Sequence, residues 1–112
     1  MNEAKTQKFI FSDGTTHDAS ISEISEALLS CYKYEWSLFP VTSGLSSSDG
    51  TYTIEVSNDN LNWFDYNNLS TDVSIEDAVD DIHLAWIYMR VVYSANTESS
   101  GTIEFNLTTK QK

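Results

Sequence analysis

The sequence predicts an all-β fold: an antiparallel β-sandwich, jelly-roll-like or immunoglobulin-like, of about seven or eight strands. Three observations predict it. The run Gly50-Thr51-Tyr52-Thr53-Ile54-Glu55-Val56-Ser57-Asn58-Asp59-Asn60-Leu61-Asn62-Trp63 reads as a strand, a polar turn and a re-entering aromatic strand. Tyr52, Ile54 and Val56 share one face and Thr53, Glu55 and Ser57 the other, the period of two of a half-buried strand. Two more segments alternate in the same way. Tyr32, Tyr34, Trp36 and Leu38 interleave with Lys33, Glu35 and Ser37, and Ile103, Phe105 and Leu107 face inward between Thr102, Glu104 and Asn106.

Residues 1–8 are polar and are expected to form a flexible N-terminal arm, with one β-sandwich domain over 9–109 and a C-terminal tail at 110–112. Phe9, Ile10 and Phe11 open the first strand, which the turn dipeptide Asp13-Gly14 ends. Between Ser20 and Ser30 two short strands are expected; a helical spacing of Ile21, Ile24 and Leu28, capped by Ser20 or Ser22, competes with them. Pro40 is expected to close the Tyr32 strand, and the serine-rich stretch from Thr42 to Asp49 to act as a flexible hairpin loop. Asn58-Asp59-Asn60 breaks the ladder, because Asn and Asp tolerate left-handed backbone and bond to their own main chain. Trp63, Phe64 and Tyr66 make a short strand, and Val73 and Ile75 an edge strand guarded by acids. From Leu84 to Tyr93 nearly every residue is apolar, so this strand is expected to be central in its sheet with both faces covered. Arg90 interrupts it and is expected to pair with Glu35, Glu55 or Asp65. Ser99-Ser100-Gly101 then makes a hairpin into the last strand.

A chain of 112 residues, 40% hydrophobic, is long enough for one core. Its net charge of −11 is unevenly spread: Lys5, Lys8, Lys110 and Lys112 lie at the ends, so residues 9–109 hold two bases against sixteen acids. Such a surface repels phosphate backbones and anionic bilayers, so neither nucleic acid nor membrane is expected as a partner. The single Cys31 makes no intrachain disulfide, which suits a chain made in a reducing cytoplasm. No basic segment followed by an apolar run, and no stretch approaching about 20 apolar residues, predicts a signal peptide or a membrane span. The two glycosylation sequons, at Asn68 and Asn106, are chance matches on this reading.

No catalytic, cofactor or metal residues are nominated, and an enzyme is not expected. His17 and His83 are far apart and Cys31 has no cysteine partner, so no metal-ligand spacing is visible. Glu76, Asp77, Asp80 and Asp81 lack the EF-hand pattern and read as a solvated acidic loop. Neither a G-x-S-x-G elbow nor a Gly-rich phosphate loop is present. Trp36, Trp63 and Trp86 are expected in the core, the competing reading being a sugar-stacking platform if two of the rings face outward. Two sets of residues remain as binding candidates: Lys5, Lys8, Lys110 and Lys112 for docking on an acidic surface, and Asn58, Asp59, Asn60 and Trp63 as a ligand-binding loop.

Taken in order, Tyr34-Glu35-Trp36, the run from Gly50 to Trp63, Trp86-Ile87-Tyr88-Met89-Arg90-Val91-Val92-Tyr93 and Gly101-Thr102-Ile103-Glu104-Phe105 resemble a group of small tailed-bacteriophage virion proteins. The resemblance covers roughly residues 30–109. It departs from the pattern at Asn60, where Gly is more usual, and at Met89, where Ile is common. It implies a non-enzymatic structural component of the virion, a capsid decoration or minor capsid protein on the outer surface of the head. The implied partners are the major capsid protein or other virion proteins and further copies of the chain, a trimer suiting three-fold positions. A similar S-x-D-G-x-x-W turn occurs in discoidin-like jelly rolls that bind sugars or lipids. A carbohydrate-binding module, or a tail or neck accessory protein, is therefore the alternative.

Overall fold

A computed structural model of the protein describes residues 4–29, 35–66, 71–72, 79–81 and 87–110, with side chains over a slightly smaller set. All regular structure among them is strand: β1 (Ala4–Lys8), β2 (His17–Asp18), β3 (Glu23–Ile24), β4 (Leu28–Leu29), β5 (Glu35–Ser43), β6 (Thr51–Ser57), β7 (Phe64–Asp65), β8 (Thr71–Asp72), β9 (Val79–Asp81), β10 (Tyr88–Ser94) and β11 (Thr102–Lys110). They form two antiparallel sheets. In the first, β1 and β2 lie in one line along β11, followed by β5 and β9; in the second, β3 and β4 lie along β10, followed by β6 and then β7 and β8.

Counting each line of short strands as one row gives four rows per sheet. In chain order the rows run 1-8-3-6 in one sheet and 2-7-4-5 in the other. This is the interleaving made when two Greek keys wrap into a sandwich, so the jelly-roll form of the expected fold is the one adopted. Core residues come from both sheets and from the segments on either side of β2: Phe9, Phe11 and Ala19 join Leu38, Tyr52, Ile54, Val56, Met89, Val91, Tyr93, Ile103, Phe105 and Leu107. The alternation in β6 and β11 puts the expected residues inward.

Several expectations are corrected. Residues 4–8 are not a loose arm. They pair along their whole length with β11, from Ala4 opposite Lys110 to Lys8 opposite Asn106, so the sandwich reaches from Ala4 to Lys110 and the opening Phe9–Phe11 strand is displaced to 4–8. A polar strand with exposed Thr6, Gln7 and Lys8 gives no apolar alternation to read, because it sits at a sheet edge. Pro40 does not close β5, which continues to Ser43. Pro40 faces Phe105, whose carbonyl accepts from Phe9 N–H at 3.0 Å on the opposite side. The Pro40–Phe105 pair is thus a non-hydrogen-bonded one, and the missing N–H costs β11 no ladder bond. Asn106, expected outward, is buried between Phe39 and Lys8 of the flanking strands. β10 is central, between β6 and the β3/β4 row, but its face bearing Tyr88, Arg90 and Val92 is only half-buried.

The segment from Ser20 to Ser30 resolves into the two short strands, for a reason visible in β10. Ser25 N–H donates to Val91 O at 2.9 Å, Val91 N–H donates to Ser25 Oγ at 2.9 Å, and Ala95 N–H donates to Ser22 Oγ at 2.9 Å. The open edge of a central strand needs these partners, and satisfying it outweighs the helical spacing even though the strands leave Ile21 and Ile24 half exposed.

Neither serine-rich stretch is a hairpin. β5 and β6 lie in different sheets, as do β10 and β11, so 44–50 and 95–101 are crossovers at the same end of the sandwich. Gly101 sits where they touch, with φ +94° and a Cβ position only 2.6 Å from Ser43 O and 2.8 Å from Gly44. Gly101→Ala should lower the unfolding free energy by about 1–3 kcal/mol through backbone strain, with added cost from the clash. Chemical denaturation measures it; a change near zero would mean the crossovers separate without penalty.

Candidate functional site

The β1–β11 ladder carries three of the four candidate docking lysines, Lys8 and Lys110 at register positions of one face and Lys5 at a position of the other. Lys110 lies opposite Ala4 and Lys5 opposite Thr109, which puts Lys5 and Lys110 one register step apart on neighbouring strands. Lys8 is on the same edge strand, where its Nζ lies 3.1 Å from Glu104 Oε2. Lys112 lies outside the described residues. The ends of the chain therefore meet at one sheet edge, which the charge distribution alone does not reveal.

The loop 58–63 is built differently from an open ligand site. Asp59 Oδ1 accepts from the N–H groups of Leu61 at 2.9 Å and Asn62 at 2.8 Å, and its Oδ2 accepts from Asn62 Nδ2 at 2.7 Å. The two N–H groups and the Asn62 side chain hold the carboxyl well below the usual range. Asn60 takes φ +60°, the left-handed conformation that Asn tolerates in place of the Gly more usual there. Asp59 and Asn60 thus spend their chemistry on shaping the turn. Asn58 Oδ1 accepts from Ile87 N–H at 3.3 Å, tying the turn to the approach to β10.

Trp63 is not a core residue. It lies half-buried on the outer face of the second sheet, with the Arg90 guanidinium 4.1 Å from its ring centroid. Arg90 has also found the second of its three expected partners: Nε donates to Glu55 Oε1 at 2.8 Å and Nη2 lies 2.7 Å from the same oxygen. Glu55 is the cross-strand neighbour of Arg90 and faces Asp65 on its other side. One face of the indole is thereby occupied, which removes it as a stacking surface for a sugar ring. The side chains of Trp36 and Trp86, and residues Glu76 and Asp77, lie outside the described set; Asp80 and Asp81 belong to β9, paired with Ser37 and Trp36 of β5.

Two carboxylate clusters escaped the sequence reading. In the first, Glu98, only 4% exposed, reaches across the two crossovers. Its Oε2 accepts from Ser46 N–H at 2.7 Å, from the Ser46 hydroxyl and from Ser99 N–H at 3.1 Å, while Oε1 accepts from Ser48 N–H at 2.9 Å. Burial pushes the Glu98 carboxyl up, but the Ser46 hydroxyl and the N–H groups of Ser48, Ser46 and Ser100 outweigh it and bring the pKa down to about 2. Asp49 adds a second brace, accepting from the Thr97 hydroxyl and, at 3.2 Å, from Thr97 N–H. The serine loop is held in place rather than flexible.

The second cluster joins Asp13, His17 and Glu23, whose potential ligand atoms all lie within 4.8 Å of one another. His17 is fully buried, stacked on Phe11 at 4.3 Å between ring centroids and edge-on to Tyr93 at 5.8 Å. Its Nδ1 is 2.8 Å from Asp13 Oδ1 and its Nε2 is 2.7 Å from the carbonyl oxygen of Ile21. Burial raises the pKa of Asp13, yet His17 and the N–H of Asp18 together hold it below the usual range. Glu23 is lowered by the Ser12 hydroxyl at 2.7 Å and the Ser12 N–H at 2.6 Å. The spacing Asp-x3-His-x5-Glu was the available signal; it matches no common metal motif, and only the β2–β3 crossover folds it into one place.

Neither the known protein-family models nor the curated protein sequences contain a match to this chain.

Proposed function

We propose that this chain is a non-enzymatic structural protein of a tailed-phage virion, bound to the outer surface of the head as a decoration or minor capsid protein. One observation carries the reading. The described residues of the four segments that resemble tailed-phage virion proteins include parts of all four inner rows of the sandwich, β5 and β11 in one sheet and β6 and β10 in the other. The likeness thus follows the load-carrying strands of a whole domain rather than an isolated turn. Acidic charge on residues 9–109 supports an outward position, because the head interior is packed with polyanionic DNA. The β1–β11 edge with Lys5, Lys8 and Lys110 is the candidate contact with an acidic capsid surface, and exposed Leu61 and Phe64, at the β7 edge of the other sheet, supply apolar area to be covered between copies.

The test is co-sedimentation of the purified protein with heads of its own phage that lack it. Saturation at on the order of hundreds of copies per head is the expected result, while about six or twelve copies would place it at the neck or tail. Absence of binding would overturn the virion reading, and a glycan-array hit in that case would favour carbohydrate recognition.

A further inference from the structure

We propose that copies of this chain join head to tail through the first sheet, the β1 edge of one copy pairing antiparallel with the β9 edge of the next. Among the described residues β1 and β9 are outer strands of that sheet, with β11 and β5 between them. The ladders set the two edges at the same height. Lys5 lies opposite Thr109, Thr109 opposite Trp36 and Trp36 opposite Asp81; one step along, Thr6, Thr108, Ser37 and Asp80 follow in the same way. All three pairings are antiparallel, so β1 and β9 run in opposite directions. A second copy shifted sideways along the sheet therefore presents its β9 antiparallel to β1, with Asp80 opposite Thr6 and Asp81 opposite Lys5.

The hydrogen-bond phase agrees with this register. Phe9 N–H donates to Phe105 O at 3.0 Å, so in the alternating ladder Lys5 and Gln7 bond to β11 while the N–H and C=O of Thr6 point away from it. Carried across β11 and β5, the same alternation points the N–H and C=O of Asp80 away from β5. The sideways shift thus brings together the two residues whose main chains face out, as one hydrogen-bonded pair. Charge selects this pairing over the two-fold ones. β1 carries Lys5 and Lys8, and β9 carries Asp80 and Asp81. Joining β1 to β1 gathers the lysines of both copies and joining β9 to β9 the aspartates, whereas β1 against β9 sets a basic strand beside an acidic one. Charged edges keep like from pairing with like, and here they leave the unlike combination open. Because the two edges differ, the contact is heterologous and builds a ring or an open series. The inference does not rest on the virion reading, since both edges belong to this chain; a copy with no neighbour on that side leaves the same lysines to the capsid.

The experiment is sedimentation equilibrium of the full chain up to about 1 mM in about 0.15 M salt, which screens repulsion between the acidic copies beyond about 8 Å. Amide hydrogen exchange at Thr6 and Asp80 is read alongside, at low and high protein concentration. A weight-average mass rising above the 12.6 kDa of one chain, with exchange slowed at those two amides, is the expected result. Lys5→Glu and Asp81→Lys should each weaken association by roughly tenfold, since each turns an attraction into a repulsion. Mixing the two variants should restore it, because each then offers the other complementary edges. Thr6→Pro removes an outward N–H that the β11 ladder does not use, so it should change the melting temperature little and weaken association at least as much. It serves if a charge variant fails to fold. A chain that stays monomeric throughout, association unchanged by Lys5→Glu and Thr6→Pro, or folded charge variants that remain apart when mixed would each overturn the proposal.

Discussion

Phe105→Ala should lower the unfolding free energy by about 3–5 kcal/mol, the largest loss expected from any single side chain here. Phe105 is fully buried at the middle of β11, a strand flanked along its whole length by β5 and by the β1/β2 row. Its ring centroid lies 4.9 Å from that of Tyr52 and 6.0 Å from those of Phe11 and Tyr93. These rings come from both sheets and from the β1–β2 segment, so one side chain joins three parts of the molecule. Truncation leaves a cavity that its neighbours cannot easily fill. The Tyr93 hydroxyl donates to Ala19 O at 2.7 Å and the Tyr93 ring meets His17, which fixes that wall in place. Domains of this kind have a total stability of about 5–15 kcal/mol, so the variant should be near its folding limit. Urea unfolding followed by tryptophan fluorescence checks this: the midpoint should fall sharply with the slope unchanged. Phe105→Leu, which keeps most of the volume, should lose under about 1.5 kcal/mol. A loss below about 1 kcal/mol for Phe105→Ala would show that the three aromatic neighbours pack without it.

The inner rows were legible because each has one face in the core. Alternation of Tyr52, Ile54 and Val56, or of Ile103, Phe105 and Leu107, is the direct imprint of burial on a pleated strand. The edge rows were not, for the opposite reason. β1 shows no apolar alternation because Thr6, Gln7 and Lys8 are exposed, and β2, β3, β4, β7 and β8 are two residues long, shorter than a period can be read over. Crossovers were mistaken for hairpins because Ser-rich segments look alike whether the chain turns back in its own sheet or passes to the other. Pairing of β11 with β5 and β1 is long-range, and turn chemistry carries no information about it. The same limit hid the Asp13, His17 and Glu23 cluster, the Glu98 brace and the pairing of the strands that carry Lys5 and Lys110. Local chemistry was readable where it closes within a few residues, as in the Asp59 turn; Arg90 was readable only to a choice of three partners, and register selected Glu55.

Glu98→Gln should destabilise the protein strongly at neutral pH and remove part of its acid sensitivity. Every acceptor site of the Glu98 carboxylate faces a donor: Ser46 N–H, the Ser46 hydroxyl and Ser99 N–H at Oε2, Ser48 N–H at Oε1. Whichever way a glutamine is turned, its NH2 group meets a backbone N–H, so donor is set against donor in a nearly closed space. These contacts connect the β5–β6 crossover to the β10–β11 crossover, and Ser48 takes φ +58° to make its own. Losing them frees both connections at that end of the sandwich. The pH effect follows from the depressed pKa, about 2 in the folded protein against 4.5 for the ordinary glutamate. The folded state keeps Glu98 ionised where the unfolded chain protonates it. The stabilisation is therefore complete above pH 4.5 and is lost as the pH falls towards 2. Within that window, unfolding of the native sequence takes up a proton at Glu98 that the variant cannot take up. The slope of stability against pH should therefore be smaller in Glu98→Gln by about one proton at most, the lowered Asp13, Asp18, Glu23, Asp49, Asp59 and Glu104 carboxyls contributing in both proteins. Denaturant unfolding at a series of pH values from neutral to acid measures both effects. A variant as stable as the native chain at pH 7, with an unchanged slope below pH 4.5, would show that the serine loop is held by something other than this carboxylate.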